Sequence, residues 1–108
     1  MAVPHEDLVQ MITDILSPKA AVRDRAADTT TDLTSSYSEE DVRVLVRALA
    51  AAAALESNQS ALEAQLHAIS EIDVTGLAHP DDFYYLRQIN RETLPEQLEE
   101  YLRDLFEE

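Results

Sequence analysis

Three features of the chain predict an all-α fold. Apolar residues recur at intervals of three and four through most of its length. There is a single glycine, no Asn-Gly or Asp-Gly pair to turn a hairpin, and no β-branched cluster longer than Thr29-Thr30-Thr31. All four prolines stand where a helix would begin, the one part of a helix that tolerates them. At 108 residues, 45% of them hydrophobic, the chain is expected to form one domain, 1–108, around one modest core.

Pro4 opens a first helix from about His5 to Leu16, with Leu8, Ile12 and Ile15 on one face. Ser17-Pro18 reads as the N-cap and first position of a second helix, running to about Ser35. Its stripe is Val22, Ala26, Thr29 or Thr30, and Leu33; the threonines weaken it, so neighbours must support it. Ser38 and Asp41, three apart ahead of an apolar run, have the spacing of a capping box and start a third helix, Glu39 to Leu55. Beyond Arg47 its next eight residues are all Ala or Leu, which predicts a central helix covered on every side.

Ser57-Asn58 offers caps for a fourth helix, with Leu62, Leu66, Ile69 and Ile72 facing inward. Thr75-Gly76 ends it, the only glycine standing where a left-handed C-terminal cap is needed. His79-Pro80-Asp81-Asp82 begins a short fifth helix whose core face is Phe83, Leu86 and Ile89. Thr93-Leu94-Pro95-Glu96 has the form of a second capping box. The sixth helix behind it sets Leu94, Leu98, Tyr101, Leu102 and Leu105 against Glu96, Glu99, Glu100, Asp104 and Glu107.

Laid on itself with a shift of forty residues, the chain pairs Ser17 with Ser57, Ala21 with Ala61, Val22 with Leu62, Ala26 with Leu66 and Thr29 with Ile69. One period covers a helix pair. The segment LSPKAAVRDRAADTTTDL resembles the first helix of a HEAT-like repeat, on Ser17, Pro18, Val22-Arg23 and Ala26. Glu39 to Leu55 resembles the second helix of that repeat, and LESNQSALEAQLHAISEI the opening of the next. The resemblance implies a short HEAT-like α-α solenoid of about six helices in three pairs: 4–36, 38–73 and 79–108. The last helix would cap the exposed apolar end.

The formal net charge is −14. It argues against a nucleic-acid backbone and against an anionic membrane surface as partners. Between Ala48 and Leu86 there is no Lys or Arg, while Glu56, Glu63, Glu71, Asp73, Asp81 and Asp82 all fall there. Such a stretch serves either as a solvated acidic surface or as a face that draws a basic protein partner. The absence of cysteine excludes disulfides and thiolate metal sites and fits a reducing compartment. MAVPHEDLVQ has neither the basic nor the apolar region of a signal peptide, so a cytoplasmic location is expected.

No enzyme, metal or cofactor is expected. Ser17, Ser38 and Ser57 hold cap positions, no G-x-S-x-G is present, and one glycine cannot make a phosphate loop. Glu63, His67 and Glu71, spaced by four, could touch a metal, but they are more simply a charged helix face. His79 beside Asp81 and Asp82 is accounted for by a helix start, and His5 beside Glu6 and Asp7 is weaker still. Phe83-Tyr84-Tyr85 is different: Phe83 and one tyrosine are expected in the core, but a helix cannot bury three consecutive side chains, so at least one tyrosine should be exposed beside acids, as in a binding hot spot.

A short, acidic, HEAT-like chain resembles the immunity proteins of bacterial polymorphic toxin systems. That resemblance implies binding and neutralising a cognate basic toxin domain, often a nuclease; the acidic stretch and the tyrosine pair make Glu71, Asp73, Asp81, Asp82, Tyr84 and Tyr85 the expected contact patch. Seven arginines against one lysine suggest a GC-rich bacterial genome. The alternative is a HEAT-like adaptor or a subunit of a larger assembly.

Overall fold

The computed structural model describes residues 2–106. They form five α-helices: α1 (His5–Ile15), α2 (Ala20–Asp32), α3 (Glu39–Leu55), α4 (Gln59–Asp73) and α5 (Glu96–Leu105). Three 3-10 segments, Thr34–Ser36, Pro80–Gln88 and Arg91–Thr93, complete the order. The fold is therefore all-α, with no strand among the described residues. Glu107 of the expected last helix lies outside them. No described helix is long and apolar enough to cross a membrane.

Local chemistry sets three of the boundaries. The Asp41 N–H donates to Ser38 Oγ at 3.1 Å and the Ser38 N–H donates to Asp41 Oδ2 at 3.2 Å, a reciprocal cap at the start of α3. Asn58 Oδ1 accepts from the Ala61 N–H at 2.9 Å and caps α4. Just beyond α4, Gly76 takes φ +74°, the left-handed conformation that turns the chain away.

Elsewhere tertiary demands override the local signal. α2 starts at Ala20, because Ser17 Oγ accepts from the Lys19 N–H at 3.1 Å and holds Ser17-Pro18 in a turn. The expected box at Thr93 does not form: the Thr93 hydroxyl donates to the Asn90 carbonyl at 2.9 Å, and Pro95 stands at the head of α5 without a side-chain cap. The fifth helix is a nine-residue 3-10 segment. A 3-10 helix stacks residues three apart. That period lines up Phe83, Leu86 and Ile89, the first two buried and the third half-buried against the core.

The elements sort into two rows. α1 packs on α3 and α3 on Pro80–Gln88, while α2 packs on α4 and α4 on α5. Contacts of α1 with α2 and of α3 with α4 join the rows. The 19 Å shortest extent of the molecule is that of two helix layers. The core between them is built from Ile15, Leu45, Leu49, Leu66, Ile69, Ile72, Leu86, Leu98 and Leu102.

The best-covered helix is α4 rather than α3. Ala61, Leu62, Ala64, Gln65, Leu66, Ala68, Ile69 and Ile72 are all buried, since α4 meets α2, α3 and α5. On α3, Val44 and Leu55 stay exposed, because nothing among the described residues lies across its outer face.

Candidate functional site

A concentration of acidic side chains lies in the second row. Its three helices carry titratable side chains four residues apart: Asp24 and Asp28 on α2, Glu63, His67 and Glu71 on α4, Glu100 and Asp104 on α5. Four-residue spacing keeps each set on one helix face. Packing α4 between α2 and α5 turns these faces toward one another.

Two adjoining clefts result. One, of about 400 Å³, is lined by Asp24, Asp28, Ser60, Glu63, Ala64, His67 and Tyr101. The other, of about 370 Å³, is lined by Glu63, Gln97, Glu100, Tyr101 and Asp104. Glu63 and Tyr101 belong to both, so the two make one groove. Five carboxylates line it, and no Lys or Arg does.

Tyr101 stands at the centre. Its ring meets His67 edge-on with centroids 6.2 Å apart, and its hydroxyl lies 3.4 Å from His67 Nδ1. Burial raises the Tyr101 hydroxyl above its ordinary pKa, and the charges of Glu63 and Glu71 add to the rise. The ring thus stays neutral and presents an aromatic face among carboxylates, an arrangement suited to Lys and Arg side chains. At the edge of the groove, Glu71 Oε1 lies 3.9 Å from His67 Nε2. Ser60 Oγ donates to Asp24 Oδ2 at 2.7 Å across the α2–α4 seam.

No family model, curated protein or solved structure matches this chain.

The six residues expected to make one contact patch do not share one environment. Glu71 lies beside the groove, next to His67, and is not among its lining residues. Asp73 is exposed and lines a separate cleft with Ala78, Pro80, Phe83, Arg87, Leu105 and Phe106, where the Arg87 guanidinium lies 4.4 Å from the Phe106 ring centroid. Asp81, Tyr84 and Tyr85 are exposed on the 3-10 segment, in the other row. The two tyrosines pack edge to face, centroids 5.6 Å apart. Phe83 is buried, but no tyrosine of the triplet joins it in the core as expected, since Tyr84 and Tyr85 are both exposed.

Asp82 is a correction. It is fully buried, not a surface contact. Arg47 Nε donates to Oδ1 at 2.7 Å, Arg43 Nε to Oδ2 at 3.2 Å, and the His79 N–H to Oδ2 at 2.9 Å. Burial alone would raise the carboxyl pKa, but the His79 N–H and the two guanidiniums outweigh it and hold Asp82 below its ordinary value. Its role is to pin the 3-10 segment to α3.

Among the described residues, no three His, Asp or Glu side chains converge where a metal could sit. None of the residues lining the groove belongs to the expected contact patch: Asp24, Asp28, Glu63, Gln97, Glu100, Tyr101 and Asp104 all lie outside it. The i, i+4 acids on α2 were the available signal, repeated on α4 and α5.

Proposed function

We propose that this chain is an immunity-type binding protein that captures a basic toxin domain in the groove between α2, α4 and α5 and blocks it. The observation that carries the reading is the lining of that groove: five carboxylates on three helices around Tyr101, without a lysine or arginine. Opposite charge steers a cationic partner into such a surface and speeds its capture, which matters when a toxin must be stopped before it acts. A nuclease fits well as target, because its cations are arranged to hold phosphates and carboxylates can take the phosphates' place.

The two-row order supports reading the chain as a short stack of HEAT-like helix pairs. In this reading α5 is more than a terminal cap, since it supplies Glu100, Tyr101 and Asp104 to the groove. The protein acts by occupation and carries out no chemistry of its own.

A growth-rescue experiment tests the proposal. The C-terminal domain encoded by the neighbouring upstream gene is expressed with and without this chain. Growth arrest relieved only by co-expression supports immunity, and relief lost in a Glu63→Lys, Glu100→Lys double variant assigns it to the groove. An arrest that the intact chain does not relieve overturns the immunity reading and favours a HEAT-like adaptor.

A further inference from the structure

Exposed large apolar side chains among the described residues are Val9, Leu16, Val44, Leu55, Val74, Tyr84 and Tyr85. All but Val74 belong to the row of α1, α3 and the 3-10 segment, away from the acidic groove. Two of them flank one feature. Leu16, 54% exposed, and Leu55, 88% exposed, border a cleft of about 270 Å³ where the C-terminal ends of α1 and α3 meet. Ile15, Ala51 and Ala52 supply its apolar wall, and Ser17, Arg23 and Glu56 complete it.

We infer that the chain pairs with a second copy of itself here, Leu55 of each copy entering the cleft of the other about a two-fold axis. Two observations select this occupant. The first is shape. An isologous interface must offer both halves of each contact on one patch. Here a projecting leucine and a cleft walled by two alanines lie side by side on α3.

The second is charge. A chain of net charge −14 repels its own copy wherever carboxylates would face each other. From Val42 to Leu55 there is no Asp or Glu at all. The one carboxylate in the cleft, Glu56, has no exposed side-chain surface and is paired with Arg23. This is where two polyanionic copies can touch without setting the carboxylates of one against those of the other. The groove, lying in the other row, stays open in the pair, so each assembly presents two of them.

Sedimentation of the full chain from about 1 μM to about 1 mM, the range of weak helical contacts, reads the pairing. The mass should move from one chain to two as concentration rises. Leu55→Asp and Ala51→Glu should each weaken the pairing at least tenfold while the circular dichroism stays unchanged. Val74→Asp, at a position 83% exposed outside this face, should leave it intact. A single-chain mass throughout, pairing that survives both cleft substitutions, or pairing lost equally in Val74→Asp overturns the inference.

Discussion

Arg23 and Glu56 meet edge to edge, Nε to Oε1 and Nη2 to Oε2, both at 2.7 Å. The same carboxylate accepts from the Gln65 side chain at 2.8 Å and from the Asn58 N–H at 3.1 Å, while Arg23 Nη1 donates to the Ser17 carbonyl at 2.9 Å. One acid thus ties α2, the turn before it, the end of α3 and the start of α4. Removing it strands hydrogen-bonding groups on all of them. Glu56→Ala is expected to lower stability by about 2–3 kcal/mol. Urea unfolding checks this: the midpoint should fall with little change in slope.

Asp82 makes stability depend on pH. Its carboxyl pKa is lower in the folded chain than in the unfolded one, and so is that of Glu56, held down by Arg23. A depressed carboxyl pKa adds stability above the unfolded value, about 3.9 for Asp, and loses it as pH falls through the folded value. Protonation of the remaining surface acids relieves repulsion and opposes that loss. The comparison with Asp82→Asn isolates the site. The stability gap between parent and variant should be constant from pH 7 to about pH 5 and shrink below about pH 4. A gap that stays constant down to about pH 2 would show that the Asp82 charge contributes nothing.

For the groove, Glu63→Lys and Glu100→Lys are expected to slow association with a basic partner domain by about tenfold each at low salt. Asp81→Lys, on the opposite row, should change the rate by less than about twofold. Stopped-flow association at two ionic strengths measures both. Equal slowing by all three would indicate a general field rather than a docking surface.

At Gly76, a built Cβ meets no atom within 4 Å, so only the backbone resists substitution. With φ at +74°, Gly76→Ala should lower the free energy of unfolding by about 1 kcal/mol. Gly76→Asn should lose less, because Asn tolerates the left-handed region. Thermal unfolding of the pair orders them.

Where a boundary depends on neighbours in sequence, it was legible in advance. Ser38 with Asp41, Asn58 and Gly76 each act within three residues of where they stand. The failures lie where a distant partner decides. Asp81 and Asp82 are chemically alike, and the second is drawn inside by the His79 N–H nearby together with arginines 35 and 39 residues away, which spacing does not reveal. The same anchor holds Pro80–Gln88 in a 3-10 form, which spacing alone reads as an α-helix. The i, i+4 acids of α2, α4 and α5 are plain in the sequence, but their convergence depends on which helices pack together.

Among the described residues, five arginines bind acids of their own fold: Arg23 with Glu56, Arg43 and Arg47 with Asp82, Arg91 and Arg103 with Glu99. None of them lines the groove. The countercharge for its carboxylates must therefore come from solution, as a loose layer of small cations. Any polycation that docks there displaces that layer, and the freed ions gain translational entropy. Part of the driving force for binding is thus held in the solvent rather than in the contact, and it fades as the surrounding salt rises.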